Sequence, residues 1–174
     1  DEAIAVCREL FRKKLTDYGP SFRVLRTPSL TDQLFIKVKS LRNFQTTGLS
    51  KVGESEEENF IAIVNYAVIG LIQLEKGFAD DYREDREELI KLYDYFTNEA
   101  KELMLRKNHD YGEAWREMRI SSITDLIYQK VLRTKKTFPI YNQFNHMCPL
   151  YKYNHSKLTQ VKVIKCKEAL FINC

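Results

Sequence analysis

No run in this sequence stays apolar long enough to cross a bilayer. The longest, Phe60 to Leu74, covers about 15 residues and is interrupted by Asn65 and Gln73, whereas a span needs ~20. It reads as a core helix, and no membrane partner is expected. Cysteine is scarce too: Cys7 stands alone in the first 136 residues, Cys148, Cys166 and Cys174 follow near the end, and no CxxC pair occurs. That excludes a disulfide framework, and without a leader-like segment the expected compartment is a reducing cytoplasm. The late cluster His146, Cys148, His155, Cys166 and Cys174 matches no common zinc spacing. Acids are missing from one region: residues 137–174 hold five lysines against Glu168 alone, while residues 1–136 hold 23 Lys and Arg against 23 Asp and Glu. The net charge of +4 therefore belongs to the tail. A neutral body is poor evidence for a nucleic-acid surface.

The 174 residues, 44% apolar and 30% charged, fit one globular domain or two small halves with a core of their own. An internal repeat organises them. Residues 7–42 align without gaps on residues 100–135, each position matching the one 93 further on, with 13 of 36 identical. The identities include Lys14/Lys107, Asp17/Asp110, Tyr18/Tyr111, Gly19/Gly112, Arg23/Arg116, Arg26/Arg119, Asp32/Asp125 and Lys37/Lys130.

Each copy reads as helix, bend, helix. Ile4, Cys7, Leu10, Phe11 and Tyr18 recur at helical spacing until Gly19 and Pro20; Leu89, Tyr93, Phe96, Ala100 and Leu103 do so until Gly112. The helices after the bends carry Leu30, Leu34, Val38 and Leu41, and Ile123, Ile127 and Val131. Residues 54–76 form a third helix, apolar nearly all round, which belongs in the middle of a bundle. Asp80, Asp81, Glu84 and Asp85 place negative charge where a helix dipole favours it, at the start of the next helix. The second copy has no such third helix after it. We expect an all-α bundle of two related helix-bend-helix units, the second incomplete: residues 1–78, residues 79–136, and an irregular basic tail over 137–174. An apolar seam left open by the missing helix implies association, as a homodimer.

Three patterns carry chemistry. K-x-x-D-Y-G (Lys14, Asp17, Tyr18 and Lys107, Asp110, Tyr111) ends a helix with a lysine and a carboxylate three apart, suited to a phosphate and a hard cation such as Mg²⁺, or to a helix-terminal ion pair. S-x-T-D (Ser29 to Asp32, Ser122 to Asp125) resembles a capping box, or a helix start whose free amides receive a phosphate beside Arg26 or Arg119. Glu54, Glu56, Glu57 and Glu58 precede Asn65 and Tyr66, with Glu58 and Asn65 on one helix face. Asn65, an amide in an apolar helix, needs partners in a buried network or on a ligand.

The paired DYG units, the S-x-T-D starts with Lys37 and Lys130 beyond them, and the E-x-x-x-x-x-x-N-Y-A-x-I helix from Glu58 to Ile69 resemble the bacterial family nucleotide modification associated domain 1. The likeness covers nearly all of residues 1–136. It implies an all-helical protein linked to nucleotide metabolism or base modification, with a nucleotide or phosphate ligand, and no agreed reaction. Ala62 stands where members of that family carry an acid, and the tail has the composition of a shifted reading frame rather than an ancestral C-terminus. A weaker similarity reaches all-helical nucleoside triphosphate pyrophosphohydrolases. It implies a Mg²⁺ held by Glu57 and Glu58 with Asp17 and Asp32 or their copies, and phosphates held by Lys14, Lys37 and Arg23, or by Lys107, Arg116 and Lys130. A third expectation is a non-catalytic interaction module.

Overall fold

The computed structural model describes residues 2–50, 53–81 and 83–145, with 137–145 as backbone only. All regular structure among them is helical: α1 (Glu2–Tyr18), α2 (Thr27–Thr47), α3 (Glu56–Lys76), α4 (Arg86–Tyr111) and α5 (Ile120–Asn145). Short 3₁₀ turns at Ser21–Val24 and Ala114–Glu117 make the two bends. The repeat is reproduced in the backbone: α1 ends at Tyr18 and α4 at its twin Tyr111, the turns match residue for residue, and α2 and α5 start at the twins Thr27 and Ile120. Gly19 and Gly112 both take φ +61°, the left-handed conformation that lets a helix stop and turn with no Cβ clash.

The helix starts differ from expectation. Ser29 does not cap α2; the N-cap is Arg26, with no side-chain cap bond. Pro28 lies in the first turn of α2, where its fixed φ is already helical and its missing N–H is not needed, so the helix opens ahead of the serine. A capping box forms instead at α3. Ser55 Oγ accepts from the Glu58 amide at 3.0 Å, and Glu58 Oε2 accepts from the Ser55 amide at 2.8 Å. Such a cap contributes about 1 kcal/mol. Asp85 caps α4 by accepting from the Glu87 amide.

α3 lies centrally, packed on α1, α2 and α4, as its all-round apolar character requires. One core cluster joins Phe11 and Leu15 of α1, Val68, Leu71 and Ile72 of α3, and Leu89, Ile90, Tyr93 and Phe96 of α4. The first half of α4 therefore completes the core of the first unit. A second cluster, Val38, Leu41, Ile63, Ile127 and Val131, joins α2, α3 and α5.

The α2–α5 contact is built on an approximate two-fold axis. Asp32 pairs with Lys135 at 2.7 Å and Asp125 with Arg42 at 2.9 Å, and these are one pair written twice, since 125 is the twin of 32 and 135 the twin of 42. Phe35 stacks on its own twin Tyr128, 5.9 Å between centroids. Lys135 lies over Phe35 and Arg42 over Tyr128, again in exchange. Residue i meeting j while the twin of j meets the twin of i is the signature of an isologous interface, and the pairing runs antiparallel. The repeat thus acts as a dimer inside one chain, and α2 covers Ile127 and Val131 of the seam on which a homodimer was expected.

α5 continues as helix to Asn145, past residue 137, where composition suggests an irregular tail. The run from Ile120 contains no glycine, and Pro139 is its first residue that opposes a helix. The expected strand at 160–166 and the late His/Cys cluster lie outside the described residues.

Candidate functional site

Between α1, the first 3₁₀ turn, α2 and α3 lies a cavity of about 670 Å³. Its floor is Phe11, Leu15 and Asn65, all nearly fully buried; its rim carries Lys14, Tyr18 and Glu58, all exposed, with Lys37 and Glu54 half-buried between them. The remaining wall is mostly apolar: Leu10, Phe22, Leu25, Ala62, Tyr66 and Ile69.

Several motifs meet here. Lys14 and Tyr18 come from the DYG segment, Lys37 from the helix after the S-x-T-D start, and Glu58, Asn65 and Tyr66 from the α3 pattern. Lys14 Nζ lies 5.2 Å from the centroid of the Tyr18 ring and has no carboxylate in pairing distance among the described residues. Lys37 Nζ donates to Glu54 Oε1 at 2.6 Å. Glu58 shares one oxygen with the Ser55 amide. Asn65 Oδ1 accepts from Tyr93 Oη at 2.7 Å in a buried contact. Burial pushes the Tyr93 phenol well above its ordinary range, with the nearby Cys7 and Asp94 adding to it, so at neutral pH the phenol keeps its proton and donates.

The wall at Phe22 and Leu25 is fastened from behind. Gln73 of α3, buried, donates through Nε2 to the carbonyls of Arg23 at 2.9 Å and Leu25 at 2.7 Å. Arg23, only 2% exposed, donates to Glu84 Oε2 at 2.7 Å and Oε1 at 3.1 Å, and also to Gln73 Oε1 and the Gly77 carbonyl. The Ala79 amide returns to the Arg23 carbonyl at 2.8 Å. Arg23 therefore ties Gly77, Ala79 and Glu84 to the turn and does not line the cavity.

Other candidate residues lie elsewhere. Asp17 and Glu57 are exposed and do not line the cavity, and Asp32 pairs with Lys135 on the pseudo-symmetric interface. Among the described residues no three His, Cys, Asp or Glu come close enough to hold a metal ion. In the second unit, Tyr111 is 66% exposed, Asp110 lies 3.3 Å from His109, Arg116 pairs with Glu113 at 2.6 Å in solvent, and Asp125 pairs with Arg42. Lys107 and Lys130 are half-buried on α4 and α5, and no third helix follows them among the described residues as α3 follows Lys14 and Lys37. One contributor is not evident in the motifs, Tyr93, the partner of Asn65, whereas Glu54, the partner of Lys37, belongs to the acidic run read ahead of Asn65. For Tyr93 the signal was a phenol on an apolar stripe, which must place its hydroxyl on some polar partner when buried.

The family model described as nucleotide modification associated domain 1 matches residues 14–74 and 107–140, more than half of the chain. The two matched segments begin at the twins Lys14 and Lys107, and the second stops at 140 with no counterpart of α3. No curated protein and no solved structure matches the chain.

Proposed function

Because the chain belongs to the nucleotide modification associated domain 1 family, and because Lys14 and Lys37 of the first matched segment line one cavity, we propose that the chain binds a nucleotide in the α1–α3 cavity through its phosphate. One observation supports this most: cations at the rim, aromatic and aliphatic walls, and a single amide at the floor match a ligand with a charged end and a flat, polar-edged ring. Lys14, which has no carboxylate partner among the described residues, supplies an ammonium for a phosphate oxygen. Lys37 is held at the same mouth by Glu54 and exchanges that carboxylate for phosphate, or keeps it where a Mg²⁺ accompanies the ligand.

Magnesium fits as a companion of the phosphate rather than as a resident. The protein brings two carboxylates, Glu54 and Glu58, to the cavity, and Mg²⁺ is commonly held by one or two carboxylates with substrate oxygens completing its shell. The acids that pyrophosphohydrolysis would call for, Asp17, Asp32 and Glu57 beside Glu58, are not gathered, and no catalytic step follows from their placement.

The test is thermal shift followed by calorimetric titration with nucleotides, with and without Mg²⁺. We expect stabilisation that Lys14→Ala and Lys37→Ala each reduce about tenfold in affinity, the scale of one charge-assisted contact, while Arg116→Ala leaves it unchanged. Absence of stabilisation by any nucleotide would leave the interaction-module reading in its place.

A further inference from the structure

The cavity floor carries a polar group whose use is only half explained by packing. Asn65 is 8% exposed and sits on α3 between the aliphatic positions Ile63, Val68 and Ile69. Its amide has two ends. The oxygen is taken by Tyr93 Oη at 2.7 Å. The nitrogen Nδ2 has no acceptor among the described residues, yet it is not among the side-chain atoms sealed from solvent without a partner, of which Asn59 Oδ1 is the one found. The remaining accessibility of Asn65 thus includes Nδ2, and Asn65 lines the cavity.

Tyr93 determines which end faces the cavity. Its ring is fully buried and stacked on Phe11, 4.5 Å between centroids, so the hydroxyl cannot turn to water. Its one hydrogen-bond partner among the described residues is the Asn65 amide, and a buried hydroxyl must place its proton on an acceptor. The amide oxygen satisfies it; the amide nitrogen would leave the proton stranded. An asparagine free to flip would read donors and acceptors alike, whereas one held this way presents N–H donors only.

We propose that Asn65 Nδ2, oriented by Tyr93, is the base-reading group of this cavity and selects nucleotides whose base carries an oxo group at position 4 of a pyrimidine or position 6 of a purine over those carrying an amine there. This rests on the nucleotide reading of the site. The substituent at position 4 of a pyrimidine or position 6 of a purine lies on the base edge away from the sugar, so with the phosphate at Lys14 and Lys37 it is the group brought to the donor at the floor. Phe11, Leu15 and Ala62 around that floor give no other polar partner. An amine brought there would face an N–H donor and lose its water without replacement. Tyr93 is a positioning residue, since it touches the amide and not the ligand.

The full chain is titrated calorimetrically with UMP, CMP, GMP, AMP and ribose 5-phosphate. UMP and GMP are expected to bind about tenfold more tightly than CMP and AMP respectively, the scale of one satisfied against one frustrated hydrogen bond. Asn65→Asp keeps an oxygen for Tyr93 and turns the second end into an acceptor, so the order inverts toward CMP and AMP. Tyr93→Phe frees the amide to flip, so both ratios shrink toward unity while ribose 5-phosphate affinity stays as in the parent. A merely structural role for Tyr93 would weaken every ligand alike and leave the ratios unmoved. Ratios near unity in the parent, or the same order in Asn65→Asp as in the parent, overturn the inference while the phosphate reading stands. No binding of any of the five overturns the nucleotide reading itself, and this inference with it.

Discussion

Arg23 and Arg116 are the same residue in two copies, and their surroundings make opposite demands. Arg23 is buried against Glu84, Gln73 and the Gly77 carbonyl, whereas Arg116 lies in solvent with a local partner three residues away. Replacing Arg23 by methionine preserves much of the aliphatic volume and removes the charge. Breaking one side of a buried ion pair typically costs 3–5 kcal/mol. Here Lys76, 3.7 Å from Glu84, partly compensates the carboxylate, which places the expected loss near the lower end, at about 3 kcal/mol. Against a total stability of roughly 5–15 kcal/mol for a domain, that is a large share. In urea, with a slope of about 2 kcal/mol/M, the unfolding midpoint followed by circular dichroism falls by about 1.5 M. Arg116→Met leaves the midpoint where it was, because exposed local pairs contribute little. Equal midpoints for the two variants would refute the assignment of Arg23 to the loop clamp.

Two further outcomes follow from the core. Burial raises the Cys7 thiol, with a backbone contact opposing it, and raises the Tyr93 phenol further; a raised folded value means the unfolded chain loses its proton first, so stability holds below the ordinary thiol range and falls as pH rises above about 8.5 and again above about 10. Urea midpoints measured from pH 7 to 11 should decline in that order, Cys7→Ala removing the earlier step, and a flat profile would contradict the burial of both groups. Val38 and Val131 are twins buried at 0% and 4% exposure in one cluster about the pseudo-axis. Their alanine variants should cost about 2 kcal/mol each by loss of methyl burial, and a large loss at one beside none at the other would argue against the two-fold packing.

The helical fold was legible because each signal it used is local. A 3.6-residue stripe, a glycine at a helix end and a matched offset between copies do not depend on what packs where, and α3 was placed at the centre from its composition alone. What could not be read is pairing across the chain. The sequence shows Asp32 and Asp125 as equals, yet nothing local says that each reaches the other copy's basic position, Lys135 or Arg42. The helix starts show the same limit in miniature: Ser29 has the spacing of a cap, but Pro28 moves the start upstream, while the working box at Ser55 and Glu58 lay inside what read as an acidic run. For the site, Lys14, Lys37, Tyr18, Glu58 and Asn65 were nameable from motifs and do share one cavity. Arg23 matched the pattern equally well and was claimed by the core, since burial against Glu84 depends on a loop 61 residues away.

The repeat preserves two kinds of twin, and they separate when traced to their contacts. Interface twins do one job twice: Asp32 and Asp125, Phe35 and Tyr128, Val38 and Val131 occupy equivalent places about the axis. Cavity twins do not, because a cavity needs α3 across it. Lys14, Tyr18 and Lys37 face Glu58, Asn65 and Tyr66, whereas after Lys107, Tyr111 and Lys130 the described residues hold no counterpart of α3. A phosphate at the second unit would meet cations without a floor amide. Calorimetric titration should therefore return one nucleotide per chain, abolished together by the Lys14→Ala, Lys37→Ala double variant and untouched by Lys107→Ala with Lys130→Ala. A stoichiometry of two, with half the heat surviving the first pair of substitutions and lost on the second, would show that the hairpin alone suffices to bind phosphate and that α3 is not what makes the site.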